Sequence, residues 1–292
     1  MSLRPRGPRP VARWLPPLVA AGLALAACSA PPRMYSTWAS LGEAQASVRH
    51  RVEPEALPPA GAFPWAGTVS HHLLAGDLID RWFAEIASRR DVEVFYILSP
   101  SHWGLSTRTY SITDGAWKVA DGLVRSDAAR ARALAETLGV SLEPTVFDQE
   151  HGVSTLMPYI AKHFPRARVV AVAYRGEPPV NEPMAAALAG ALAPAFDAEG
   201  RRRNFLVISS DFSHHGDAAK TSATDSRSRR YFEGPLPGDW ILVGCDNRPG
   251  LYALARLAGE GARDAILFHS DSLSLSGQGA SDVTSYFFTL FY

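Results

Sequence analysis

An excess of charge of either sign is missing from this 292-residue chain, where 29 lysines and arginines stand against 29 aspartates and glutamates. Without a net field or a basic face there is nothing to hold nucleic acid. The one basic run beyond the first residues, Arg201-Arg-Arg203, suits a solvated turn between a helix and a strand. Cysteine is nearly absent too, at two residues, and this leaves no room for a disulfide framework. Internal repeats and low-complexity tracts are lacking, which excludes solenoids and disordered arrays. No Gly-x-Ser-x-Gly occurs anywhere. Ser209-Ser-Asp-Phe-Ser-His214 therefore offers a serine, an aspartate and a histidine without a nucleophile elbow, and a hydrolase is the weakest reading.

What is present begins with a leader. Residues 1–13 carry Arg4, Arg6, Arg9 and Arg13 and no acid, and residues 14–27 are apolar. The stretch closes in Leu25-Ala-Ala-Cys28, with small residues before the cysteine. This pattern reads as an export signal over residues 1–27. More narrowly it resembles a bacterial lipobox, with Cys28 as the lipidated (palmitate-bearing) first residue and Ser29 compatible with outer-membrane sorting. An ordinary signal peptide and an uncut anchor are the alternatives, although the apolar stretch is short for a span. The expected location is the cell envelope, facing the periplasm or the exterior, with the lipid as the membrane partner. Residues 28–62 are rich in proline and alanine and read as a tether, with a short helix allowed over residues 34–48. Residues 63–292 form the expected globular domain, of ordinary composition at 47% hydrophobic and 20% charged overall.

Within that domain the same shape recurs four times. Residues 205–208 are an apolar run that breaks into Asp211, His214 and His215 and stops at Gly216. Gly67-Thr-Val-Ser70 leads to His71 and His72, residues 92–98 lead to His102, and residues 240–244 lead to Cys245. Short apolar runs bounded by turn signals suit strands buried on both faces, which deliver their next residues to the carboxyl edge of a sheet. Residues 240–244 fit either a strand or a turn entering a helix at 249–257. Helical periodicity marks residues 73–89, 127–138, 182–192 and 217–232, and Glu150-His151 opens another helix. Strands follow at 167–173, 265–268 and 284–291, the last so aromatic that it belongs inside the sheet. The fold class is α/β, a mixed and largely parallel sheet covered by helices on both faces.

Histidines and a cysteine at strand ends make a borderline-to-soft metal ligand set. With Cys28 assigned to a lipid, Cys245 stands alone in an oxidising compartment, and its place beside Asp246, Asn247 and Arg248 argues against a plain core residue. Asp211, three residues before His214, is placed to orient that imidazole or to ligate directly. Glu150 and His151, at a helix start, suit general acid/base work or substrate contact. His269 with Ser270 and Asp271 follows a strand as a secondary pocket candidate. His50, His163 and His215 carry no such signal.

Ser99-Pro-Ser-His102, Glu150-His151 before Leu156-Met-Pro-Tyr159, Ser209-Ser-Asp-Phe-Ser-His214, Cys245-x-x-x-Pro249 and Ser285-Tyr286 occur in that order. Together they resemble the Memo family, protein B of the AmmeMemoRadiSam system, over roughly residues 69–292. The resemblance implies a fold like that of the class III extradiol dioxygenases, which use non-haem iron. It also implies metal-site positions at His71 (with His72 as the competing register), His102, His214 and Cys245, and further site positions at Glu150, His151 and Asp211. The chain departs from the family at Ser70-His-His-Leu-Leu74, where Pro-His-Ala-Gly-Tyr is usual. It departs again at Asp246-Asn-Arg-Pro249, where Gly-Arg-His-Pro is usual.

Two functional expectations follow. One is a membrane-tethered redox metalloprotein with copper or iron, zinc behind them, acting on a small molecule in the manner of an extradiol enzyme. The other is a non-catalytic copper-binding protein of the envelope. Whether the chain is an enzyme stays open at this stage.

Overall fold

Valine, isoleucine and aromatic residues dominate the two strands that run through the centre of the molecule. Val94–Pro100 (β3) is buried at every position, and Arg168–Tyr174 (β7) at all but its first. Such runs carry no polar face and require cover on both sides. The computed structural model that shows this describes Met1 and residues 31–37, 51–120, 122–175, 181–234, 238–259 and 261–292. Cys28, the apolar leader, His50 and the allowed helix beyond residue 37 lie outside the described residues.

The other strands are Met34–Tyr35 (β1), Ala66–Val69 (β2), Ser111–Ile112 (β4), Ala116–Val119 (β5), Gly122–Arg125 (β6), Asn204–Ser209 (β8), Phe212–Gly216 (β9), Asp264–Asp271 (β10) and Val283–Phe291 (β11). The main sheet has the order β10-β11-β2-β8-β3-β7-β4, with β9 paired to β11. Its centre, β2-β8-β3-β7, is parallel, while β10, β11, β9 and β4 join antiparallel. The mixed sheet expected from the sequence is therefore present, parallel at its centre and antiparallel toward its edges, and β11 lies inside it between β10 and β2.

Side chains alternate across the sheet with the two-residue period of a strand. Tyr96, Leu98, Val170, Val172, Leu206 and Ile208 face one apolar layer. Phe95, Ile97, Val169, Ala171, Phe205 and Val207 face the other. The first layer is closed by Ala128–Thr137 (α2), Glu182–Leu192 (α5) and Arg248–Ala258 (α8). The second is closed by Gly76–Arg89 (α1), which buries Leu78, Ile79, Trp82, Phe83 and Ile86, and by Met157–His163 (α4). The remaining helices are His151–Ser154 (α3), Gly200–Arg203 (α6), Ala218–Phe232 (α7) and Ser272–Ser276 (α9). Among the described residues, no helix is long and apolar enough to cross a membrane.

One local alternative is resolved and two expectations are corrected. Of the strand and the turn left open for residues 240–244, the turn is present, as a 3-10 turn at Trp240–Leu242. Trp240 and Val243 are buried in the first apolar layer while Ile241 and Leu242 are exposed, a pattern that a strand buried on both faces would not show. Asn247 caps the following helix by accepting from the Gly250 N–H. Met34 and Tyr35 are extended rather than helical and run parallel to β5. The described parts of the expected tether dock on the domain. Tyr35 is buried against Thr113, the Arg81 guanidinium donates to Val52 O, and the Glu55 N–H bonds Leu267 O. Pro32–Tyr292 accordingly form one folded unit. The small sheet β1-β5-β6 went unseen in the sequence because its strands are short and only Trp117, Ala116, Val124 and Tyr35 are buried in it.

Candidate metal centre

Parallel strands release their next residues at the carboxyl edge, and here β2, β3 and β8 are neighbours. β2 delivers Ser70 and His71, β3 delivers Ser101 and His102, and β8 delivers Ser210 and Asp211. The loop before α8 adds Cys245, Asp246 and Asn247 from the side. Asn247 locks that loop in place. Its amide donates to Leu98 O at 2.9 Å and Ser209 O at 2.8 Å, and its Oδ1 accepts from the Tyr174 hydroxyl at 2.7 Å. All of these partners are buried, so the loop is fixed to the ends of two strands.

His71 is 2% exposed. The Ser209 hydroxyl donates to Gly152 O at 2.6 Å and so has a lone pair left for the His71 Nδ1–H at 3.0 Å. That assigns the tautomer: the proton sits on Nδ1 and the Nε2 lone pair faces the site. His102 is held in the same sense by Glu150. The buried carboxylate accepts from His102 Nδ1–H at 2.6 Å, from the His102 backbone N–H at 2.9 Å and from the Gly152 N–H at 2.9 Å. Glu150 is also the N-cap of α3, which explains its place directly before His151. Its role is to position His102.

The His151 ring lies 4.1 Å from that of His102 and 5.2 Å from that of His71, centre to centre, and Trp103 flanks it at 5.5 Å. One nitrogen from each of His71, His102 and His151 lies within 4.8 Å of the others, a spacing that can hold a metal ion. Burial first, then His71 and His102, push His151 down to about 4, so it is neutral at physiological pH. Burial opposes charge on His102 as well, but Asp246 and Glu150 outweigh it and raise this imidazole to about 10.

Asp246, 5% exposed, is the residue that sequence reasoning missed. Its Oδ1 accepts from the Ser210 hydroxyl at 2.8 Å and the Asp211 N–H at 3.1 Å. Its Oδ2 lies 3.3 Å from His71 Nε2, 3.5 Å from His102 Nε2 and 3.6 Å from His214 Nε2. Burial works against a charge on this carboxylate, yet the surrounding imidazoles hold it well below the usual range. Even so, Asp246 Oδ2 and His102 Nε2 are buried without a hydrogen-bond partner among the described residues. Orphaned polar atoms aimed at one point are the mark of a site built for something else. The only signal in the sequence was a carboxylate where the resembling family has glycine.

The other expected residues are placed as follows. His214 comes from β9, where Ser213 and His215 on either side adopt positive φ, 39° and 56°. Ser213 is held there by its hydroxyl on Asp225 at 2.6 Å and its N–H on Gly244 O. Asp211 Oδ1 accepts from the Ser70 hydroxyl at 2.5 Å, and its Oδ2 stands 3.7 Å from His71 Nε2. His72 turns away, exposed, and shares a 2.6 Å hydrogen bond with the Tyr286 hydroxyl, so His71 is the register that enters the site. Cys245 lies outside the three-imidazole cluster and packs in the apolar layer with Phe212, to which it is bridged. Burial pushes its thiol up to about 12, which keeps it neutral. A cavity of about 370 Å³ lined by His214, Cys245, Lys220, Arg227 and Arg248 lies beside the centre. His269 serves a different place, bonding Asp225 at 2.9 Å between α7 and β10.

Comparison with known proteins follows the same lines. Residues 64–231 match the family of Memo-like proteins. A MEMO1 family protein of Pyrobaculum aerophilum is 26% identical over 58% of this chain and 60% of its own length. One from Caldivirga maquilingensis is 24% identical over 59% and 56%, and one from Methanopyrus kandleri 30% identical over 38% and 42%. The chain thus spans 60% or less of the length of these relatives.

Proposed function

The chain belongs to the Memo-like family, and on that premise we propose that it is a metal-dependent protein, with non-haem iron at the carboxyl edge of its sheet acting on a small molecule. The observation that carries this reading is the convergence of three imidazoles, two of them with the tautomer set by buried partners that leave Nε2 toward the site. Imidazole with nearby carboxylate favours Fe(II), with Zn(II) close behind. A copper site would draw on Cys245, and its place outside the three-imidazole cluster supports that reading less well.

His71, His102 and His151 would hold a bound Fe(II), which would supply Lewis-acid and redox chemistry. The chain supplies the rest. Ser209 and Glu150 keep a proton on the far nitrogen of His71 and His102, so neither ring can turn its lone pair away. His151, neutral at physiological pH, can hold a proton or a ligand bond. The polar cavity beside His214 offers a small substrate a path with cationic groups at its rim.

Metal uptake is expected to depend on pH in a defined sense. His102, raised to about 10, carries a second proton at neutral pH. An incoming ion must displace it, so affinity rises roughly tenfold per pH unit up to about pH 10. In the metal-free protein the same shift means that His102 adds stability below the unfolded value near 6.5, and that this is lost as pH rises through about 10. Fe(II) titration of the full chain under argon measures the slope; an affinity flat with pH speaks against His102 as a ligand. For the catalytic half, oxygen uptake is expected when catechol is added to the iron-loaded protein in air. Neither uptake nor a ring-opened product would leave a binding protein only.

The place of action proposed is the cell envelope, through a lipid on Cys28. It rests on the leader alone, and recovery of the mature protein in the aqueous phase of a detergent separation would count against it.

A further inference from the structure

We propose that Asp246 is itself a ligand, so that the centre is a histidine–carboxylate site selecting Fe(II) and Zn(II) over Cu(I). The inference rests on the metal-binding reading above and goes beyond it by naming the anionic ligand and the class of ion.

The argument is geometric. Ligand atoms about 2.1 Å from one tetrahedrally coordinated ion stand roughly 3.4 Å from each other. Asp246 Oδ2 is 3.3, 3.5 and 3.6 Å from three imidazole nitrogens, on that edge length and without hydrogen-bond geometry to any of them. A carboxylate placed there to make hydrogen bonds would not leave an oxygen buried without one. Nor is it loose, because Oδ1 is pinned by the Ser210 hydroxyl and the Asp211 N–H while Asn247 anchors the next residue to two strand ends. One oxygen is structural; the other faces the imidazoles. Carboxylate with imidazole suits Fe(II) and Zn(II), whereas Cu(I) prefers sulfur. The neighbouring thiol packs in the apolar layer.

Asp246→Asn is the discriminating variant. It keeps Oδ1 and its two hydrogen bonds and replaces Oδ2 by an uncharged amide. In the full chain, Fe(II) and Zn(II) affinities are expected to fall by at least about tenfold, the lower end of what even indirect ligand partners cost. Cu(I) affinity is expected to hold, and Cys245→Ser is expected to bind all three ions as wild type does. Far-ultraviolet circular dichroism checks that the variant is folded. Independently of any variant, Co(II) added to wild type is expected to give ligand-field bands with no thiolate charge-transfer band. Unchanged Fe(II) and Zn(II) affinity in Asp246→Asn, with binding lost in His102→Ala, overturns this inference and leaves the metal site standing. A thiolate band in the Co(II) protein also overturns it. If wild type binds none of Fe(II), Zn(II) or Cu(I), the underlying reading falls and this one with it.

Discussion

His102→Ala is expected to lose more than about a hundredfold in Fe(II) or Zn(II) affinity, because removing a ligand costs more than the 10–100-fold typical of an indirect partner. The imidazole is one of three that converge, and its Nε2 is buried with no other use among the described residues. The substitution also leaves Glu150, 1% exposed, without its side-chain partner. Glu150 keeps the backbone N–H groups of residue 102 and Gly152, so the fold is expected to survive. A ligand at a hundred times its dissociation constant stabilises by about 2.7 kcal/mol, which raises the melting temperature roughly 5–10 °C in a domain of this size. Wild type should show that rise on adding metal and His102→Ala should show none. An equal rise in both would place the ion elsewhere.

Gly67→Ala is expected to destabilise the fold by about 3 kcal/mol or more. A Cβ at this position in β2 would lie 2.1 Å from Thr289 O and 2.9 Å from Trp82 Cζ2. Neither neighbour can yield. Thr289 O accepts from the Trp82 indole N–H at 2.9 Å, and Trp82 is fully buried. Thr68 binds Thr289 Oγ1 through its N–H at 3.1 Å and Phe287 O through its hydroxyl at 2.7 Å. Moving β11 off β2 would break these bonds, each worth about 1 kcal/mol, on top of an overpacking cost of about 1–3 kcal/mol. Chemical denaturation gives the difference. A midpoint equal to wild type would mean that β11 can retreat at no cost, contrary to the packing described. β2 leads directly to His71, so metal affinity should fall alongside stability.

These two positions show what the sequence could and could not reveal. β3, β7, β8 and β11 were legible because strands buried on both faces leave continuous apolar runs. α1 was legible from its single apolar stripe, and α5 from the helical run over residues 182–192. Gly67 was read as part of a strand, but nothing in its neighbours announces that Thr289, more than two hundred residues on, comes against its backbone. Residues 240–244 stayed open between strand and turn because a short apolar run fits either until it is seen which of its residues are buried.

The site divides in the same way. His71 and His102 were legible as residues that follow buried strands. His151 was read as an acid/base group rather than a member of the cluster. Glu150 and His151 are adjacent, and only the helix cap sends one to the back of His102 and the other beside its ring. Cys245 attracted attention as a lone cysteine, yet the residue next to it carries the charge into the centre. A thiol can serve as a small apolar group in a core, whereas a carboxylate oxygen buried without a hydrogen bond demands an explanation.

Metal content of the full chain, purified anaerobically without an affinity tag and then titrated with Fe(II), tests the central claim most directly. One ion per chain, present as isolated or taken up on titration and absent from His71→Ala, is the result predicted. A wild-type protein that holds no metal and binds none on titration would contradict the account.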